Sequence, residues 1–181
     1  MAFTPPEPLA EHHDISGFSC GVASLDEWLR RRARANQASG ATRTFVLVES
    51  GRVVAYYAIA SGAVSPNGTV GRFRRNMPDP IPVAVLARLA IDTRAQSKGL
   101  GRALFRDATL RILNAAETLG IRGIVVHAIS DQAKAFYLAL GFEASPLDPM
   151  TLIVTLQDLR TAPFTSTDSE SCVDGPLGSS R

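Results

Sequence analysis

Apolar positions along the chain alternate between helical and strand spacing. Ser24 with Glu27 three residues later forms a capping-box pattern, after which Leu25, Trp28, Leu29 and Ala33 recur on one face. They predict a first helix that ends before Gly40. Residues 43–49 and 53–60 are rich in β-branched and aromatic side chains and are separated by Ser50-Gly51, which predicts two strands opening an antiparallel sheet. A third strand is expected around 63–70, interrupted by Ser65-Pro66-Asn67-Gly68. Arg72, Phe73, Arg74 and Arg75 then lead into a connection stiffened by Pro78, Pro80 and Pro82, residues without the N–H a ladder needs.

The second half is more regular. An apolar strand running to Ile91 passes into a glycine turn and a long helix over 99–119, which should bury Leu100, Ala103, Leu104, Ala108, Leu113 and Ala116 and stop at Gly120. A strand over 121–128, a short helix ending at Gly141 and a strand pair at 142–144 and 150–155 complete the series. The order implies an α/β (α+β) domain over residues 1–160, a mixed sheet flanked by helices. From 161 onward Ser, Thr, Asp and Gly dominate, which predicts a disordered tail over 161–181.

Composition narrows the class. A chain of 181 residues with 45% apolar content can bury one ordinary core. Cys20 and Cys172 lie near opposite ends, so neither a disulfide framework nor a cysteine-rich zinc site is expected, and the three histidines suggest no other metal site. His12 and His13 fall in a start expected to be weakly structured. That start lacks the basic and apolar regions of a signal peptide, and no run approaches membrane-spanning length, so a cytoplasmic protein without a membrane association is expected.

The net charge of +2 conceals an uneven distribution. Residues 1–29 hold five acids and no Lys or Arg, residues 30–122 hold sixteen basic side chains against five acidic, and residues 123–181 hold three against seven. Seventeen of the nineteen basic residues are Arg, whose planar fork suits phosphate. The middle of the chain therefore has the character of a nucleic-acid partner, although a solvated Arg-rich surface would look the same.

The chemistry concentrates in two places. In Gln96-Ser97-Lys98-Gly99-Leu100-Gly101-Arg102-Ala103, glycines let the backbone curl as the helix opens, and the first N–H groups of that helix lack internal partners. Such a turn suits a pyrophosphate. Downstream, the strand at 121–128 is followed by Ser130, Ala133 and the aromatic pair Phe136-Tyr137 before Gly141-Phe142. Together these motifs resemble the GNAT superfamily of acetyl-CoA-dependent N-acetyltransferases, over roughly residues 5–160. Leu25-Asp-Glu-Trp28-Leu29, Arg43-Thr-Phe45, the run from Arg74 to Pro82, Leu86-Ala-Arg-Leu-Ala90 and Val126-His-Ala128 are similar to the toxin subfamily of type II toxin-antitoxin pairs, which acetylate aminoacyl-tRNA and block translation.

The resemblance implies roles. The backbone N–H near Ala90 would polarise the acetyl carbonyl, Leu89 and Ile91 would pair with the pantetheine amides, and Gln96, Ser97, Lys98, Gly99, Leu100, Gly101, Arg102 and Ala103 would wrap the pyrophosphate of acetyl-CoA. Ser130, Ala133 and Phe136 would line the cofactor arm, with Ser130 standing where the superfamily often has Asn. Tyr137 would protonate the departing thiolate. A phenol and an alkyl thiol have similar enough pKa values, about 10 and 8.5, for that transfer to be easy. Arg30, Arg31, Arg34, Arg72, Arg74 and Arg75 would hold tRNA. No general base stands out: Glu49 and Asp92 suit a solvated strand position and a strand-end turn, and His127 a structural position at a strand end. The subfamily also implies a homodimer and a ribbon-helix-helix antitoxin. The alternatives are an acetyltransferase for protein N-termini or small amines, and a non-catalytic CoA-binding regulatory module.

Overall fold

The computed structural model describes residues 3–162; most of the predicted tail and Cys172 lie outside them. A two-residue strand β1 (Glu7–Pro8) precedes helices α1 (Ala23–Arg31) and α2 (Ala33–Ser39), then β2 (Arg43–Glu49) and β3 (Arg52–Val64). Helix α3 (Gly71–Arg74), β4 (Ile81–Ile91), α4 (Leu100–Ala115), β5 (Gly123–His127), α5 (Asp131–Ala139), β6 (Glu143–Ala144), β7 (Thr151–Thr155) and α6 (Leu156–Thr161) follow. Seven strands form one sheet in the order β1-β2-β3-β4-β5-β7-β6, antiparallel except where β4 lies parallel to β5.

The expected mixed sheet is present, with several local corrections. The first helix is broken at Arg32, whose backbone leaves helical geometry (φ −119°), and the capping box does not form: Val22 is the N-cap and Ser24 lies inside α1. Asp26 turns back instead and accepts the Cys20 N–H at 2.8 Å. No third strand occupies 63–70; β3 runs on to Val64 as one long strand and Pro66–Gly68 forms a 3₁₀ turn. Gly71–Arg74 is a helical turn that inserts Phe73 into the core, and Pro82 lies within β4 opposite Ala63. Ala103 is exposed on α4, where Phe105, Thr109 and Ile112 are buried in its place. The chain start is ordered as well: His13 is 4% exposed, accepts the Ala10 N–H through Nδ1 and bonds Glu7 through Nε2 at 2.7 Å. His12 joins Glu7 and His13 in one cluster whose ligand-type atoms lie within 4.8 Å, but both His13 nitrogens already hold the chain start together.

The sheet is covered on both faces. Leu104, Phe105, Ala108 and Ile112 of α4 and Tyr137 of α5 pack with Tyr57, Leu86, Ile124, Val126 and Leu152 on one side. On the other, Leu25 and Leu29 of α1 pack with Phe18, Val46, Tyr56 and Ala90, and Phe73 of α3 packs with Ile81, Val83, Val125 and Ile153. Gly123 is required at the start of β5, since a Cβ there would lie 2.1 Å from the Val154 carbonyl oxygen and 2.5 Å from the Phe73 ring.

One irregularity shapes the centre of the sheet. Ala58 pairs with Arg88 but Ile59 pairs with Leu86, so Ala87 is an extra residue in β4. The bulge reverses the side-chain alternation. Leu86 faces α4, whereas Ala90 packs with the α1 cluster and Leu89 and Ile91 turn toward α4. Beyond it β4 and β5 part: only Ala84 and Val85 pair with Ile124 and Val125, leaving the edge of β4 from Leu86 to Ile91 without a strand partner on that side.

Candidate active site

The parting of β4 and β5 opens a wedge, and the residues singled out from the sequence gather at it. A groove of about 500 Å³ is bordered by Leu89, Ala90 and Ile91 of β4, by Gln96, Ser97 and Gly101 of the turn, and by Ser130, Ala133, Phe136 and Tyr137 beside α5. A smaller cavity of about 70 Å³ continues it between the strands, reaching Leu86, Arg88, His127 and Tyr137. Leu25, Leu89, Ala133 and Tyr137 border both.

The turn owes its shape to its backbone angles. Ser97 and Gly99 take left-handed backbone angles (φ 65° and 76°), and α4 begins at Leu100, so the N–H groups of Leu100, Gly101 and Arg102 have no i−4 carbonyl within the helix. Gly101 lies against α5: a Cβ there would meet the Phe136 ring at 3.4 Å. Gln96 acts as a brace, its Nε2 donating to the carbonyls of Cys20 (3.0 Å) and Ile91 (2.9 Å). Lys98, Arg102 and Ala103 are exposed on the outer side of the turn. Ser130 caps α5, its Oγ accepting the Ala133 N–H at 3.1 Å.

Tyr137 is 6% exposed and is packed edge-on against Phe105, Phe136 and Phe142. Burial pushes its phenol well above the ordinary tyrosine range, so it carries its proton at neutral pH. Among the described residues its hydroxyl has no protein hydrogen-bond partner. Asp92, in contrast, is fully engaged: its carboxylate accepts from the Ser19 N–H (3.1 Å) and the Arg94 N–H (3.0 Å) and takes a fork from Arg94 Nε and Nη2 at 2.9 and 3.0 Å. The Arg94 bonds hold its pKa well below the usual carboxylate range despite burial. Cys20, half-buried on the groove wall, has its thiol raised to about 11, chiefly by burial.

The arginines divide into two groups. Arg30 Nη1 donates to the Phe18 carbonyl, Arg34 Nη2 donates to the His13 carbonyl at 2.7 Å, and Arg72 pairs with Glu143 (2.8 Å) and Asp158 (3.0 Å). These three tie the fold together. Arg31, Arg74 and Arg75 are exposed and, among the described residues, make no side-chain bond. Arg88, which the sequence places in the Leu86–Ala90 run without a role of its own, lies at the bulge with its guanidinium 5.2 Å from the Trp28 ring, itself stacked on Tyr56. Its signal was faint, a single Arg inside an apolar strand. Among the described residues no helix is long and apolar enough to cross a membrane.

The profile of the acetyltransferase (GNAT) domain family matches residues 40–144. The chain is 48% identical over 158 residues to the tRNA-acetylating toxin of Mycobacterium tuberculosis (strain ATCC 25618 / H37Rv), covering 87% of this chain and 95% of the relative. Among solved structures, a mutant of KacT superposes with a TM-score of 0.82 at 25% identity, over 88% of this chain and 98% of that one. AtaTR bound with AcCoA superposes with a TM-score of 0.73 at 25% identity, over 87% and 96%.

Proposed function

The chain belongs to the GNAT acetyltransferases, and from that premise we propose that it transfers acetyl from acetyl-CoA to the α-amino group of an aminoacyl-tRNA, and so acts as a toxin that blocks translation. The observation that carries the reading is the likeness to a tRNA-acetylating toxin along nearly its whole length. Acetyl-CoA supplies the activated acetyl thioester. The groove fits it: an open strand edge at Leu89, Ala90 and Ile91 offers backbone groups to the amide-bearing arm, and the turn from Ser97 to Arg102 offers N–H groups to the pyrophosphate. The N–H near Ala90 would polarise the carbonyl. Tyr137 would hold a proton for the departing sulfur, a role its raised pKa suits because the phenol stays protonated.

The acceptor would reach the wedge from the other face of the sheet. The turn and α5 border the groove on one face of the sheet and Leu25 of α1 borders it on the other, the face carrying α1 and α3 on which Arg88 and Trp28 also lie. The exposed Arg31 of α1 and the exposed Arg74 and Arg75 at the end of α3 belong to these two helices, so positive charge accompanies the acceptor side. Phosphate contacts of this kind position a nucleic acid without reading its sequence. The same reading includes a homodimer, a ribbon-helix-helix antitoxin and a cytoplasmic location, where charged tRNA is found; light scattering tests the first, and co-purification with a candidate ribbon-helix-helix protein tests the second.

The test of function is direct. Purified protein incubated with acetyl-CoA and a total charged-tRNA pool should yield N-acetylated aminoacyl-adenosine after nuclease digestion and mass spectrometry. Unmodified charged tRNA alongside acetylated small amines would replace the tRNA reading with the small-amine one.

A further inference from the structure

Resting on the tRNA reading, we propose that His127 is the proton acceptor for the attacking amine, held in the required tautomer by Thr151 and Asp148. Three hydrogen bonds in series carry the argument. Thr151 Oγ1 donates its only proton to Asp148 Oδ2 at 2.7 Å. It can therefore only accept from His127 Nδ1, 2.9 Å away, which fixes the imidazole proton on Nδ1 and leaves Nε2 with a free lone pair. Asp148 is itself anchored, accepting the Met150 N–H at 3.0 Å; that bond and the Thr151 hydroxyl, helped by the nearby charge of Lys134, keep it ionised.

Position agrees with the role. His127 ends β5 at the mouth of the wedge and borders the same small cavity as Arg88, Leu86 and Tyr137. Strand alternation from Val125, which packs with Phe73, sends the His127 side chain to the α1 and α3 face, opposite the face of Tyr137. One side of the wedge thus presents a proton donor and the other a proton acceptor. The groups around the imidazole are Thr151 and Asp148 beside it, Lys134 and Tyr137 on α5, and Arg88 across the wedge on β4.

The step balances. The neutral amine nitrogen attacks the thioester carbonyl carbon, the C–N bond forms and the C–S bond breaks. The nitrogen, cationic once bonded, gives a proton to His127 Nε2, and the sulfur takes one from Tyr137. Solvent then resets both groups. An aminoacyl amine is weakly basic and needs no help to lose its first proton, but it cannot complete amide formation while it carries two.

Nitrogen-15 NMR of imidazole-labelled protein tests the tautomer without turnover. Nδ1 should be protonated in the wild type, and Thr151→Val should shift the population toward the Nε2–H form; a wild-type ring protonated on Nε2 would overturn the proposal. With charged tRNA as acceptor, His127→Gln should lower kcat about 10²-fold with unchanged acetyl-CoA affinity. The acid limb of log kcat/KM should become shallower by about one unit of slope, since one of two ionisations is removed. His127→Ala should regain rate with added imidazole, a rescue that a structural role would not give. If the wild type acetylates charged tRNA while His127→Gln loses less than about threefold and keeps its acid limb, the histidine assignment falls and the tRNA reading stands. If the wild type leaves charged tRNA untouched, both fall.

Discussion

Two single residues set contrasting limits on what this site tolerates. Tyr137 is enclosed by Phe105, Phe136 and Phe142, so Tyr137→Phe keeps the packing and removes one hydroxyl. Calorimetry should show unchanged acetyl-CoA affinity, and steady-state assays should show turnover reduced by about 10²-fold or more. Because burial raises its pKa, the phenol should cause no fall in rate below about pH 10, the range where an ordinary tyrosine begins to ionise. Asp92 matters for stability. Its carboxylate joins Ser19, ahead of α1, to the end of β4, and Asp92→Asn should lower stability by about 1–3 kcal/mol. Its folded pKa is depressed, so this contribution is present above the ordinary pKa near 3.9 and is lost as pH falls through the folded value. In chemical denaturation, the gap between wild type and Asp92→Asn should be full at pH 7 and shrink below about pH 4.

At the scale of elements, function depends on how the turn after β4 meets α4 and α5. Gly99 needs its left-handed angle but has open space, so Gly99→Asp should fold with about 1–3 kcal/mol of strain and place a negative charge at the helix start. Acetyl-CoA affinity should fall at least about tenfold, about 1.4 kcal/mol, by calorimetry. Gly101→Asp adds contact with Phe136 and should be worse. An affinity within about twofold for both would make the turn a helix cap only. The turn and the α5 aromatics were legible in the sequence because a glycine spacing and a local helix carry that information. The break at Arg32 and the unused Ser24 cap were not: Asp26 bonds Cys20, and Arg30 and Arg34 bond the chain before α1, contacts across loops that no local propensity encodes.

Across the whole molecule, charge separates tRNA from small acceptors. Each phosphate neutralised contributes a slope of about −0.7 to −0.9 in log affinity against log salt, so Arg31, Arg74 and Arg75 together should give roughly −2 to −3. Replacing Arg74 and Arg75 by Ala should reduce that slope by about one to two units and leave acetyl-CoA affinity unchanged. A flat salt response would remove these residues from the interface. Sequence alone determined the mixed sheet, the order of elements from β4 to β7, the glycine turn and the Phe136-Tyr137 pair, because each is written in spacing over a few neighbouring residues. Only the tertiary structure decided which arginines brace the fold, where β4 and β5 separate, and that His127 meets Thr151 and Asp148. Those outcomes depend on register: the extra residue Ala87 reverses the alternation of β4, and pairing that ends at Val85 and Val125 opens the wedge. Register is set by the summed packing of both faces of the sheet, which no window of sequence contains.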